Sequence, residues 1–358
     1  MNLLKKIYKI IFIAFVYILF ILLLNADIIE KSKINKFTLQ NNFSNKTALF
    51  ENINEYITVC RKGMLLREKI YYYNNTPKIT SIIPVFNASK TIKAAIRSIQ
   101  NQNMDDIEII LVDDVSTDNS TSIINELMIE DRRIKLIKNK RNRGILYSRS
   151  IGALNAKGKY IMALDNDDLF INGIFNKCYE EAEKNNLDIV EFSGLQICDN
   201  CLIDENKIMI PYYLRFKKNG LIIKQPDLST FLYVKTNNTH YNYDFRDVFV
   251  WGKIIKTVTY LNSLKFLGNE VLNYNVYLTE DKIFTVGLFK IANSFKFIDV
   301  YGILYIRNPN SICSRWIKSK RKRIMKDFLI FSVFFFKISK DKEEVHIVLE
   351  DLKIRFHE

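Results

Sequence analysis

In YIMALDNDDLF, residues 160–170, an apolar run leads directly into three carboxylates within four positions, Asp165, Asp167 and Asp168. Like charges this close repel unless a cation sits among them. Two hard oxygen ligands with coordination positions left open suit magnesium or manganese in phosphate chemistry, and Asp165 and Asp167 are the candidate pair. A solvated acidic turn or a helix cap is the plainer reading of a D-x-D triplet, since Asp is common at both. The triplet's position at the end of a buried strand favours the metal. Two more polar clusters follow apolar runs: Pro84, Val85, Phe86 and Asn87 after ITSII, and Asp113 with Asp114 after IEIILV.

These clusters can meet only if the fold brings three strand ends together. KITSIIPVFN is rich in β-branched residues and stops at Pro84 and Asn87, as a strand would. ASKTIKAAIRSIQNQ then places Ile92, Ile96 and Ile99 at helical spacing. IEIILVDD predicts a second strand, and STSIINELMIE a second helix with Ile123, Ile124, Leu127 and Met128 along one side. IKLIK and YIMAL predict two more strands, separated by a helix from about Ile145 to Ala156. Such alternation predicts an α/β fold with a mainly parallel sheet and helices on both faces. Ligands of such sheets bind beyond the carboxyl ends of the strands, so the three clusters should line one crevice. Neither G-x-G-x-x-G nor G-x-x-x-x-G-K-[ST] occurs, which argues against an ordinary dinucleotide site or a P-loop. After Phe170 the alternation gives way to aromatic-rich mixed segments, expected to form a lid and acceptor surface. The pattern contains no internal repeat.

The composition is that of a folded chain: 358 residues, 48% hydrophobic and 13% aromatic, with only 11 Gly and 5 Pro. A formal charge of +14 points to anionic partners. With no helix-turn-helix, zinc-finger or RNA-binding signature, nucleic acid is not expected among them. Lys5, Lys6 and Lys9 precede an uninterrupted apolar run at 10–24, and Asp27 and Glu30 follow it. This predicts a transmembrane signal anchor at 1–27 with its amino end in the cytoplasm; a cleaved signal peptide is disfavoured by Leu24-Asn25-Ala26, a poor cleavage site. Residues 28–75 read as a polar stem with sequons at Asn42, Asn45 and Asn74. Five cysteines make no disulfide scaffold, and Cys198 with Cys201 reads as a local disulfide or two idle thiols. Residues 318–358 read as a basic, amphipathic helical segment whose apolar stretch at 328–336 is too short to span a bilayer. It either packs on the domain or lies in the membrane interface.

The ordered motifs SIIPVFNASKTIKAAIRSIQNQNMDDIEIILVDDVSTDNS and NRGILYSRSIGALNAKGKYIMALDNDDLF resemble the shared core of family 2 glycosyltransferases. The similarity covers about residues 78–170 closely and continues more loosely through VWGKII, LTEDKIF and YIRNPNSICS. It implies a GT-A fold, a Rossmann-like sheet, and transfer that inverts the anomeric centre. It further implies that Pro84, Val85, Phe86, Asn87 and Asp114 line a uracil-like base and ribose, with Asp113 ordering the strand end. Asp165 and Asp167 would meet ribose and metal-bound diphosphate, with Asp168 behind them on the acceptor side. Arg149, after the N-x-G segment Asn142-Arg143-Gly144, would meet the diphosphate or donor sugar; Ser150 stands where the family often has Asn. An inverting transfer also needs a base for the acceptor hydroxyl, and the family's late Glu-Asp pair corresponds to Glu280 and Asp281. Without the resemblance, that pair is as well explained as an acidic helix N-terminus. Trp251 is a candidate sugar platform and equally a core tryptophan. Arg307 and the basic run at 318–326 are candidate phosphate contacts and equally solvated charges.

The expected organisation is therefore an anchor at 1–27, a stem at 28–75, a GT-A domain at 76–317 divided at residue 170 into nucleotide and acceptor halves, and a helical segment at 318–358. The expected activity is metal-dependent (manganese or magnesium) inverting transfer of a hexosyl or N-acetylhexosaminyl group from a nucleoside diphosphate donor, UDP-sugar above all. A glycan, lipid or protein hydroxyl would accept it. The expected location is a single-pass type II membrane protein, of the Golgi or endoplasmic reticulum in a eukaryotic cell. A nucleotidyltransferase would need a Gly- and basic-rich loop after the first strand, which PVFNASKT lacks. A non-catalytic carbohydrate-binding protein of the same fold is the alternative outside enzymes.

Overall fold

A computed structural model of the chain describes residues 57, 60–62, 76–198, 222–224, 226, 234–236, 240–242, 250–272 and 280–307. The expected anchor, the three sequons, Cys201 and the basic segment at 318–358 lie outside the described residues. Among the described residues no helix is long and apolar enough to cross a membrane.

The first half follows the predicted alternation: β1 Ile79–Val85, α1 Ile92–Gln100, β2 Ile107–Asp113, α2 Ser120–Glu130, β3 Ile134–Lys138, α3 Ile145–Leu154 and β4 Tyr160–Ala163. Next come β5 Leu169–Phe170, α4 Ile174–Lys184, β6 Ile189–Cys198 and β7 Ile222–Lys224. β8 Val234–Thr236 and β9 His240–Asn242 pair with each other as a separate antiparallel hairpin. The chain continues through β10 Lys253–Lys256, α5 Thr257–Leu272 (broken at Gly268, φ 78), α6 Glu280–Ile291 and β11 Ser294–Arg307.

The large sheet has the order β3-β2-β1-β4-β10-β6-β11-β5, with β7 also on β11. β3, β2, β1 and β4 run parallel, as expected. Beyond β4 the expectation of a mainly parallel sheet is corrected: β10 is antiparallel to both β4 and β6, and β5 and β7 are antiparallel to β11. Among the described residues of the second half, β6, β10 and β11 extend the same sheet. The division at residue 170 falls inside one sheet, where β6 and β11 run in the same direction as β1–β4 while β5, β7 and β10 run against them.

Neighbouring positions on β1 show how the sheet is covered, since successive side chains point to opposite faces. Ile83 clusters with Ile92, Ile96 and Ile99 of α1, all fully buried. Ile82 instead meets α3, where a Cβ added at Gly152 would lie 2.5 Å from Ile82 Cγ2. Helices therefore lie on both faces, α1 on one and α3 on the other. Here α3 packs on α5 and α6, which also pack on each other. The stem expectation is also corrected at its end, because Ile57 and Cys60 are buried against Leu169, Leu195, Leu304 and Ile306. Their apolar side chains gain more from that burial than from solvent, so the core begins before residue 76.

Candidate active site

The parallel register brings the predicted strand ends to one edge. Val85 pairs with Asp113 and Asp113 with Lys138, while Ala163 of β4 is level with Ile82. Across β4, β10 begins at Lys253, one residue before the Ile254–Met162 pair, so its amino end borders the acid-bearing turn.

The turns after β1 and β2 hold each other. Asn87, at φ 50, accepts at Oδ1 from the Thr117 backbone N–H at 2.8 Å, and its own N–H donates to Ser116 Oγ at 3.0 Å. Asp113 is buried and accepts the Ser116 N–H at 3.0 Å, which holds the turn after β2. Asp114 is also buried. Its carboxylate accepts from Asn139 Nδ2 at 2.8 Å, the Arg143 N–H at 2.9 Å and the Gly144 N–H at 2.7 Å. Gly144 is the N-cap of α3 at φ 85, so Asp114 ties the end of β2 to the start of α3. Asn166 Nδ2 donates to the Pro84 carbonyl at 3.0 Å and joins the D-x-D turn to β1. Phe86 and Val115 stay 49% and 40% exposed on these turns, two apolar surfaces at the mouth of the crevice. Val115 has φ 70, a conformation that a β-branched residue rarely adopts and that stores strain beside the candidate site.

The acids of the D-x-D turn have three different environments. Asp167 is partly exposed. Asp168 is fully buried and accepts the Ile306 N–H at 2.9 Å, while its other oxygen has no partner. Burial, then the charges of Asp167 and Asp165, push its carboxyl well above the usual range. Asp168 therefore anchors β11 rather than facing an acceptor. Asp165, 23% exposed at its side chain, accepts from Arg149 Nη2 at 2.5 Å.

Arg149 is among the largest fully buried side chains, and its other terminal nitrogen, Nη1, donates to Asp281 Oδ1. Its expected place on a diphosphate is thereby corrected: a guanidinium this enclosed needs charged partners, and it finds them in two carboxylates. Burial alone would make it a weaker base, but the charges of Asp281 and Asp165 outweigh burial and raise it. Glu280 and Asp281 open α6 and are half-buried, with Asp281 turned onto Arg149. Burial raises the Asp281 carboxyl against the opposing pull of Arg149. Burial, followed by the charge of Asp281, raises Glu280 well above its usual range, and Glu280 Oε2 has no partner.

Trp251 is 3% exposed and stacks on Tyr305 at 5.8 Å and 14°, a core placement instead of a sugar platform. Its aromatic face is spent on Tyr305. Sequence reasoning missed Lys253 and Glu191, which form a buried ion pair at 2.8 Å between β10 and β6. The charge of Lys253 also pulls the Asp281 carboxyl down. The signal available was a lysine opening a strand of isoleucines, KIIK, where a solvated charge would not be expected to sit in a central strand. The side chain of Arg307 and the basic run at 318–326 lie outside the described residues.

For a divalent cation the chemistry of the donors fits, since Asp165 and Asp167 are hard oxygen ligands at the crevice. Their number is small. Among the described residues no group of three or more His, Cys, Asp or Glu is arranged to hold a metal ion. A cation here would take most of its ligands from a phosphate group and water, as magnesium commonly does.

Residues 80–237 match the family described as Glycosyl transferase family 2. Over 236 residues the chain is 28% identical to the uncharacterized glycosyltransferase EpsJ of Bacillus subtilis, covering 66% of this chain and 63% of that protein. Over 130 residues it is 32% identical to the GalNAc(5)-diNAcBac-PP-undecaprenol beta-1,3-glucosyltransferase of Campylobacter jejuni, covering 36% of this chain and 40% of that enzyme. The matched stretch thus spans less than two thirds of either relative. The crystal structure of S. aureus TarS 1-349 in complex with UDP-GlcNAc aligns with a TM-score of 0.56 at 19% identity, over 78% of this chain and 72% of that one. The likeness to TarS is one of fold, a mixed α/β, GT-A-like sheet with helices. Motif order and strand-end geometry agree with the match of residues 80–237 to the glycosyl transferase family 2 model.

Proposed function

We propose that this chain is an inverting glycosyltransferase that moves a sugar from a uridine diphosphate donor to a hydroxyl of a glycan, lipid or protein. The observation that carries the reading is the cluster Asp165, Arg149 and Asp281. Asp165 of the strand-end crevice and Asp281 of the late acidic pair, 132 positions from Arg149, meet on one guanidinium. That is the arrangement an inverting transfer needs, with the donor diphosphate on one side and the base on the other.

In this reading Phe86 and Val115 offer apolar surface for the base of the nucleotide, and Pro84, Val85 and Asn87 shape that turn. Asp114 and Asp113 hold the loops around it. Asp167 would hold a divalent cation together with diphosphate oxygens; when bound, such an ion offsets the charge of the departing diphosphate. Asp281 takes the proton of the acceptor hydroxyl as that oxygen attacks the anomeric carbon from the face opposite the diphosphate. Its carboxyl, raised by burial, is better matched to proton transfer near neutral pH than an ordinary aspartate. TarS was solved with UDP-GlcNAc and the Campylobacter relative is named for a lipid-linked acceptor, which supports a UDP-sugar donor and a glycan or lipid acceptor. The apolar run at 10–24, flanked by Lys5, Lys6 and Lys9, would anchor the enzyme with its amino end in the cytoplasm.

The test is hydrolysis of a panel of nucleotide sugars and nucleoside triphosphates by the full chain in detergent. Donor-selective release of UDP is expected. Turnover of triphosphates would point to nucleotidyl transfer, and silence with retained glycan binding would point to a non-catalytic protein.

A further inference from the structure

We propose that Arg149 is a positioning residue that ties Asp165 to the base Asp281, so that Asp165 serves Arg149 while Asp167 alone of the D-x-D pair serves the donor. The inference rests on the glycosyltransferase reading and divides labour within that site.

The argument begins with the way the guanidinium is shared. Arginine commonly grips one carboxylate through two parallel hydrogen bonds. Here Nη2 goes to Asp165 and Nη1 to Asp281, so one planar group spans two acids from different elements. The acids are also more open than the arginine: the side chains are 23% exposed for Asp165, 16% for Asp281 and only 2% for Arg149. Arg149 lies beneath the two carboxylates that hold it. A diphosphate reaching Arg149 would first have to displace one of them, and a cation bound at Asp165 Oδ1 would compete with the guanidinium for the same oxygen.

The bridge has a mechanical consequence. Asp281 opens α6, Arg149 sits on α3, and Asp165 follows β4, so the guanidinium fixes the first turn of α6 relative to the strand end. A general base works only within hydrogen-bond reach of its proton, and a misplacement of about 1 Å can cost about 10²-fold in rate. Lysine at position 149 would keep the charge but has one terminal nitrogen where the bridge uses two. Loss of either arm should therefore reduce turnover and leave donor binding alone.

The experiment uses the full chain in detergent with four variants: Arg149→Lys, Asp165→Asn, Asp167→Asn and the double Arg149→Lys/Asp165→Asn. UDP affinity is measured by calorimetry with manganese and with chelator, and kcat and KM for UDP-sugar hydrolysis are measured in parallel. Arg149→Lys and Asp165→Asn should each lower kcat by about 10²-fold. UDP affinity and KM should stay close to those of the wild type. The double variant should be no worse than the poorer single one, because both remove the same bridge. Asp167→Asn should instead abolish the manganese-dependent part of UDP binding. Asp165→Asn losing UDP affinity as Asp167→Asn does would make Asp165 a metal ligand and overturn the proposal. So would a loss of UDP affinity in Arg149→Lys, or kcat defects that multiply in the double variant. If Arg149→Lys fails to fold, Asp165→Asn on its partly exposed side chain decides alone. A wild-type chain that neither binds UDP nor cleaves a UDP-sugar would overturn the glycosyltransferase reading first. Wild-type activity combined with the wrong variant pattern would overturn only the bridge.

Discussion

At Asp281 burial and the Arg149 ion pair pull the carboxyl in opposite directions, and burial prevails. Asp281→Asn keeps shape and reach but cannot take a proton, so kcat should fall by about 10²–10⁴-fold while UDP affinity stays nearly constant. Glu280→Gln should be milder. Burial and the charge of Asp281 raise the Glu280 carboxyl well above its usual range, which favours the neutral form that glutamine matches. Single-turnover kinetics beside calorimetry checks both: a fully active Asp281→Asn would remove it as the base, and a larger defect in Glu280→Gln would move the base there. Asp118 has the opposite shift. Burial pushes its carboxyl up, but hydrogen bonds from Ser120 and Ser89 outweigh that and bring it to about 2 from an ordinary 3.8. A carboxyl lowered on folding contributes stability that is present above pH 3.8 and lost as pH falls through about 2. Thermal midpoints of Asp118→Asn should therefore converge on those of the wild type as pH is lowered through that window; a constant gap would show the contribution is not ionic. The acids themselves were legible in the sequence, because carboxylates at the end of an apolar run stand out. The destination of Arg149 was not, since one chain's spacing does not tell an arginine facing a ligand from one buried between two acids.

Elements were most legible where periodicity and burial coincide. Ile92, Ile96 and Ile99 repeat at helical spacing and all three are fully buried on α1. The place of β10 was not legible. Four residues, KIIK, form a strand between β4 and β6, whose partners lie far away in the chain, and a short apolar run does not name its neighbours. Lys253 and Glu191 become an ion pair only through that pairing. The close approach of α3 to β1 is equally a product of packing, and it can be tested at Gly152. A Cβ there would lie 2.5 Å from Ile82 Cγ2, which sits next to the backbone and cannot swing away. Gly152→Ala should cost about 1–3 kcal/mol of stability through overpacking. Because α3 also carries Arg149, kcat should fall with it. Ile82→Ala removes the obstructing methyl, so the double variant should lose less stability in urea than the sum of the singles. Strict additivity would show that α3 does not press on Ile82.

For the whole molecule, two independent sequence features could hold it at a membrane, and salt separates them. The formal charge of +14 would favour an anionic lipid surface, an attraction that weakens as the Debye length shrinks to about 3 Å in 1 M salt. The apolar run at 10–24, with Ile7 and Tyr8 before it, would instead hold the chain through buried hydrocarbon, which salt does not weaken. Lys5, Lys6 and Lys9 on one flank and Asp27 and Glu30 on the other would set the direction proposed above, with the amino end in the cytoplasm and the glycosyltransferase domain across the membrane. The full chain should therefore stay with membranes through a wash in high salt and leave them only in detergent. In sealed vesicles with the cytoplasmic face outward, added protease should leave the domain intact until detergent opens them. Release by salt would reduce the attachment to surface charge, and digestion without detergent would place the domain on the cytoplasmic side. In that second case the donor would be drawn from the cytoplasm directly, and the acceptor would have to be a glycan, lipid or protein presented on that same face.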